Sequence, residues 1–229
     1  MGFRVFQIIL PMRLHHAILG LLLCLGQLSC DGGKRYHTEE AAISAPDAHQ
    51  GGVGAILAYQ KQLNDEFRDP DRSPLPDRFR KDFEGLDFFE PDTTYQVWAR
   101  LVRSPEALPF DMPTTTDRQA RERKYGTLYF ELHGQPMSLE VYQSPELILQ
   151  EGLENYLFLP FTDPTNGRET YSGGRYIDLR TPDGDSLLVD FNRAYNPYCA
   201  YNPKYSCPIV PPVNRLEVEI RAGVKAFLK

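Results

Sequence analysis

The chain has 229 residues, 41% hydrophobic, 12% aromatic and 24% charged, a balance that excludes a disordered polymer and fits one globular domain with a short extension. Its 25 Lys and Arg against 31 Asp and Glu give a formal charge of −6. No basic stripe is present to neutralise phosphates, so nucleic acid is not expected as a partner.

Ala17 to Leu25 (AILGLLLCL) is an apolar run preceded by Arg13, His15 and His16. It is shorter than the roughly 20 residues that cross a bilayer, and it reads as the hydrophobic stretch of a signal peptide over residues 1–29. A start at Met12 would give the same signal a compact positive front. Leu28-Ser29-Cys30-Asp31 resembles a bacterial lipoprotein cleavage site, with Gln27 standing where that pattern prefers Leu. Lipidation of Cys30 is the first reading and plain cleavage after Ser29 the competing one. The expectation is an exported protein, held to a bacterial envelope membrane (periplasm or outer membrane) through its N-terminal lipid.

Residues 30–53 are polar and Gly-rich without periodicity, as suits a flexible tether. The remainder, 54–229, is read as one β-rich domain. Ile56, Tyr59, Leu63 and Phe67 recur at helical intervals, with Lys61, Gln62, Asp65 and Glu66 assigned to the other face, and the helix is expected to stop before Pro70. Pro74 and Pro76 open a shorter helical turn that puts Phe79 and Phe83 on one face. From Tyr95 the period is two: Tyr95, Val97, Ala99 and Leu101 alternate with Gln96, Trp98, Arg100 and Val102. Residues 127–133 and 137–142 suit a hairpin turning at Gly134-Gln135. Further strands are expected at 157–161, 175–180, 186–192, 216–220 and 224–228, separated by turns rich in Gly, Pro, Asn and Asp. The predicted fold is therefore mainly β, an antiparallel sandwich or barrel with one or two N-terminal helices, and a doubly wound nucleotide fold is disfavoured.

Two clusters carry the candidate chemistry. The second along the chain runs from Asp190 through Asn192, Tyr195, Asn196-Pro197, Cys199, Tyr201 and Asn202-Pro203 to Cys207. Its Asn-Pro pairs make it an ordered loop. Cys199 and Cys207 leave three readings open: a structural disulfide, a reactive thiol activated by Arg193, Lys204 or Arg215, or half of a metal site. The metal reading lacks ligands, because the domain holds a single His, His133, and no metal is expected. The first cluster, 161–178, holds Asp163, Glu169, Tyr171, Gly173-Gly174, Arg175, Tyr176 and Asp178. Arg175 is expected to pair with Asp178, Asp190 or Glu169. The four acids Asp163, Glu169, Asp178 and Asp190 are weak evidence for Ca²⁺ or paired-acid chemistry. Tyr171, Tyr176, Tyr195, Tyr198, Tyr201 and Tyr205 suit a sugar or peptide site, or equally a Tyr-rich core edge. No Gly-x-Ser-x-Gly, phosphate loop or His-Glu-x-x-His is present, and no cofactor is expected.

Several stretches resemble the signature of a bacterial family, domain of unknown function 1684, in its short, lipoprotein-like version. They are Phe158-Leu-Pro-Phe-Thr-Asp163, Asn166-Gly-Arg-Glu-Thr-Tyr171, Gly173-Gly-Arg-Tyr-Ile-Asp178, residues 190–201, Cys207-Pro208 and Asn214-Arg-Leu216, within a similarity running from about Ile56 to Lys225. The resemblance concentrates attention on Asp178, Asp190, Asn192, Tyr195, Asn196, Cys199, Tyr201 and Cys207. It implies no activity and no cofactor.

The expected function is binding of a small polar ligand, a glycan or peptide fragment, by Tyr171, Arg175, Asp178, Asn192, Tyr195, Asn196 and Tyr201. The rival is a hydrolase or thiol-dependent enzyme using Cys199 or Asp190 with Arg175, and a third reading is an envelope scaffold. The first two require both clusters to converge on one hollow.

Overall fold

The computed structural model describes Gly2 and residues 51–228. The expected signal peptide, Cys30 and the tether up to residue 50 lie outside the described residues. The amphipathic period from Ile56 does make a helix, α1 (Val53–Arg68), which buries Ile56, Leu63 and Phe67 and takes in Val53, the last residue assigned to the tether. Asp69 leaves the helical region at ψ 121°, as a residue before proline is driven to do. Glu66 is a correction: it is buried, not on the solvent face. It follows Leu63 by three positions, so it shares the inward side, where Gln62 Nε2 donates to it at 3.1 Å and Arg72 pairs with it at 2.7 Å. A one-turn helix α2 (Asp77–Arg80) follows Pro76. Phe83 packs on Phe67 at 5.8 Å and Phe79 on Phe227 at 6.3 Å.

Seven strands occur among the described residues: β1 (Gln96–Arg103), β2 (Phe110–Pro113), β3 (Gln119–Leu132), β4 (Gln135–Gln143), β5 (Tyr156–Phe161), β6 (Arg175–Arg180) and β7 (Ser186–Asp190). They form a curled antiparallel half-barrel in the order β6-β5-β4-β3-β1-β7, with β2 beside the first part of β3. The fold is thus mainly β, with the two helices on the N-terminal side. On β1 the alternation holds, with Val97, Ala99 and Leu101 buried and Trp98 and Arg100 exposed. β3 is one long strand rather than the expected 127–133, broken by a register shift between Lys124 and Gly126. Only glycine fits at that shift, since a Cβ on Gly126 would stand 2.5 Å from the Val102 carbonyl oxygen.

Three further expectations are corrected. The hairpin turns at His133-Gly134, not Gly134-Gln135: both residues have positive φ (51° and 76°), as a type I′ turn requires, and Leu132 pairs with Gln135. β2 was not anticipated, being a four-residue strand that ends in proline. Residues 216–220 and 224–228 alternate like strands but join no strand of the sheet. Leu216, Ile220 and Ala222 are buried while Arg215, Glu217 and Arg221 are exposed. Their backbone bonds go to loops, Leu216 N–H to Thr162 O at 2.8 Å and Val224 N–H to Ala194 O at 2.8 Å. This segment is a strap that fills the hollow side of the curled sheet.

Two apolar clusters result, one on each face. Leu157, Leu159, Phe161, Ile177 and Leu179 join Val97, Leu128, Val141, Val189 and the strap in the first. Phe158, Tyr156 and Tyr176 join Leu63 and Phe67 of α1 and the tyrosines of 195–205 in the second. β5 is therefore buried at every position. Its ladder to β4 has a single registered pair, Tyr142–Phe158. Asn214 bridges the divergence: its Nδ2 donates to Glu140 O and Pro160 O at 2.7 Å each, and its Oδ1 accepts from Glu140 N–H at 2.8 Å. Residues 51–228 fall within one compact unit.

Candidate acid and tyrosine site

Side chains alternate along a strand, so β6 sends Arg175, Ile177 and Leu179 into the first cluster and Tyr176 and Asp178 toward α1 and the 194–207 loop. There Tyr195 Oη donates to Asp178 Oδ1 at 2.6 Å and Tyr156 Oη donates to the same oxygen at 2.8 Å. Neither uses Oδ2. Asp178 is half-buried as a residue, and its carboxyl stands in a desolvated setting with Oδ1 fixed by the two phenols. Burial raises its pKa to about 6; the two phenol bonds pull it down, the Glu66 charge raises it and the Arg180 charge lowers it. Tyr59 of α1 closes the site. Its hydroxyl is held well above the ordinary range by burial and by the nearby charges of Asp178 and Glu66, and the Arg193 guanidinium lies 5.7 Å from its ring centroid. A carboxyl balanced near neutrality can accept from a hydroxyl or ammonium as an anion and donate as an acid.

The other expected site residues are placed differently. Arg175 is fully buried and pairs with Asp163, at 3.0 Å, rather than with Asp178, Asp190 or Glu169. It also donates to Ala222 O at 2.5 Å and Ile220 O at 2.7 Å, which anchors the strap. With no surface open to water, it does not reach a ligand. Asp190 is buried, accepting from Gln96 Nε2 at 2.8 Å and from Asn192 N–H at 3.0 Å, while Asn192 Nδ2 donates to Asp92 O at 2.8 Å. These two clamp the end of β7 to the start of β1. Asn196 donates to Lys225 O at 2.9 Å and to Tyr201 Oη at 3.3 Å, and Tyr201 packs on Phe67 at 4.8 Å. Asn192, Asn196 and Tyr201 are all buried. Of the expected ligand set only Asp178 and Tyr195 meet, between α1, β6 and the 194–207 loop. Tyr171 is half-buried and stands beside Cys199 instead, 3.9 Å from its sulfur.

Cys199 and Cys207 are both free thiols. The four acids of the paired-acid reading each have separate partners, Glu169 pairing with Arg221 at 3.1 Å. Among the described residues no group of three His, Cys, Asp or Glu side chains gathers as a metal-ligand set.

Sequence reasoning missed Tyr59, Glu66, Tyr156 and Glu122. The first two were counted as helix positions, yet a Glu within the buried arc of α1 was the available signal. Glu122 is buried on β3, where burial raises its carboxyl pKa to about 8 against the opposing pull of Arg118, and its Oε2 has no hydrogen-bond partner.

No curated protein matches the chain. Among solved structures it is similar to the solution NMR structure of the uncharacterized protein from gene locus rrnAC0354 of Haloarcula marismortui, at 34% identity and a TM-score of 0.59, over 75% of this chain and 92% of that one. The family model described as protein of unknown function (DUF1684) matches residues 81–225. That stretch holds the whole sheet, Asp178, Tyr156, Tyr195 and both thiols, while α1, with Tyr59 and Glu66, precedes it. With the matched model spanning most of its length, the chain belongs to the DUF1684 family.

Proposed function

We propose that the protein is an exported lipoprotein whose β domain binds a small polar ligand, a glycan or peptide fragment, in the hollow between α1, β6 and the 194–207 loop. The observation that carries this reading is Asp178, a half-buried residue whose carboxyl is fixed by Tyr195 and Tyr156 at 2.6 and 2.8 Å through one oxygen only. Oδ2 then serves a hydroxyl or ammonium of the ligand, while the half-buried Tyr59 ring offers an apolar face with a polar rim, the pairing that sugar and peptide sites use. Preorganisation by two buried donors means that little side-chain freedom is lost on binding. Arg175, Asn192, Asn196 and Tyr201 act as supports rather than contacts. Export and anchoring rest on the apolar run 17–25 and the Leu28-Ser29-Cys30-Asp31 sequence.

Two experiments test the two halves of the proposal. A library of glycan and peptide fragments is screened by thermal shift at pH 7 against the wild type and Asp178→Asn. A hit should raise the midpoint of the wild type and lose at least ten-fold in affinity in the variant. A hit indifferent to Asp178→Asn would move the site elsewhere. For the anchor, labelled palmitate should be incorporated by the wild type and not by Cys30→Ala, and equal labelling of both removes the lipoprotein.

A further inference from the structure

The chain around Cys199 is bent by Pro197, which precedes a 3₁₀ turn at Tyr198–Ala200, and by Asn202-Pro203, which returns it toward Cys207. At the start of such a turn the backbone N–H groups lack partners within the turn. That of Cys199 donates to Cys207 Sγ at 3.1 Å. Cys207 is fixed in turn by Thr115: its N–H donates to Thr115 Oγ1 at 3.1 Å, and Thr115 N–H donates to Cys207 O at 2.9 Å. The Cys207 sulfur is therefore held by a backbone N–H and lies beside the Cys199 sulfur, with Cys207 fully buried and Cys199 half-buried.

Three side-chain donors converge on the Cys199 sulfur. They are the Cys207 thiol, the Tyr171 hydroxyl at 3.9 Å and the Thr115 hydroxyl. Together they draw Cys199 down to about 7 against the opposing effect of burial, while Cys207, whose proton is engaged by Cys199, is pushed far up. No cation takes part in activating Cys199, contrary to the sequence expectation. Arg193 faces Asp190, Lys204 lies over the Tyr205 ring, and Arg215 pairs with Glu217. The result is a pair of unequal thiols, one reachable and partly ionised at neutral pH, the other sheltered and protonated.

We infer that Cys199 and Cys207 form a reversible dithiol–disulfide site, in which Cys199 attacks an external low-molecular-weight disulfide and Cys207 resolves the product. The Cys199 thiolate forms a bond to one sulfur of the external disulfide, whose S–S bond breaks and releases one thiolate. Cys207 then gives up its proton and attacks the Cys199 sulfur, which expels the second thiolate. Two protein thiols are oxidised by two electrons, and the external disulfide becomes two thiols that take up the two protons. The adjacent sulfurs need only close to about 2.05 Å for the bond to form. This site is independent of any ligand at Asp178.

The test uses the full chain, reduced and then freed of reductant. Trypsin cuts after Arg193, Lys204 and Arg215, so Cys199 and Cys207 fall on separate peptides, 194–204 and 205–215. Incubation with oxidised glutathione should join these two peptides, and dithiothreitol should separate them without denaturant. In Cys207→Ser, Cys199 should instead accumulate as its glutathione mixed disulfide. Before oxidation, iodoacetamide at pH 7 should modify Cys199 at least ten-fold faster than Cys207. Tyr171→Phe, which leaves both sulfurs in place, should slow that reaction roughly two- to five-fold at pH 7 through loss of one donor to the thiolate. Peptides that never join, a bond that yields to dithiothreitol only after unfolding, or equal alkylation of the two cysteines would each overturn the inference.

Discussion

Arg175 and Asp178 lie three residues apart on β6 and face opposite sides of the sheet. The pleat sends Arg175 to Asp163, 3.0 Å away with both side chains fully buried, and sends Asp178 to the phenols of Tyr156 and Tyr195. One strand thus carries a structural charge on one face and the candidate binding group on the other.

The Arg175–Asp163 pair ties three segments together, because Asp163 Oδ1 also accepts from Ile220 N–H at 3.1 Å and Thr165 N–H at 2.9 Å. Arg175→Met leaves the Asp163 charge without its cation, and breaking a buried pair from one side costs about 3–5 kcal/mol. Urea denaturation should show that loss, together with earlier proteolysis of the 216–224 strap. A loss under ~1 kcal/mol would mean that the strap is held by its apolar contacts alone.

Glu122 sets a pH dependence. Its folded-state pKa of about 8 lies above the ordinary 4.5, so between those values the folded protein binds the proton more tightly than the unfolded chain does. Stability is therefore greatest below about 4.5 for this group, falls as pH rises, and carries the full penalty above about 8. Asp178 acts with the same sign over a narrower window, from 3.8 to about 6. Glu122→Gln should raise the melting temperature at pH 8.5 and leave it nearly unchanged at pH 4.5. An equal shift at both values would point to packing rather than charge.

Tyr195 lowers the Asp178 pKa by donating to its anion. Tyr195→Phe should move the Asp178 titration upward from about 6, followed by carboxyl carbon NMR. Tyr156→Phe should do the same through the 2.8 Å bond on the same oxygen. A downward shift in either variant would mean that water entering the hollow outweighs the lost bond.

Asn214 has no exposed surface, and its three hydrogen bonds span β4 and β5 where the ladder has one registered pair. Asn214→Ala strands a backbone N–H and two carbonyls, each worth about 1–3 kcal/mol when buried and unpaired. The expected loss is at least ~3 kcal/mol in a denaturant titration, with faster amide exchange in β5. Unaltered exchange at β5 would argue that water replaces the amide.

Periodicity was legible wherever one face of an element meets a core and the other meets water. α1 and the alternation on β1 were readable in this way, while the strands at 157–161 and 175–180, covered on both faces, were readable as short apolar runs between turn residues. The strap at 216–224 has the same alternation, but lateral hydrogen bonding separates a strand from an extended segment, and no property of a single residue encodes it. Seven strands curl far enough to leave an open side, and the strap occupies it. Proximity along the chain also suggested that Arg175, Asp190, Asn192 and Asn196 share a ligand site with Asp178.

Composition and period were sufficient for a mainly β domain with an N-terminal helix, since both follow from which residues avoid water. The assignment of polar groups to partners was decided only in three dimensions. A buried donor or acceptor must find its complement wherever the chain brings one, and here the complements come from Asp163, Asp92, Lys225 and the strap carbonyls, up to 100 positions away in sequence.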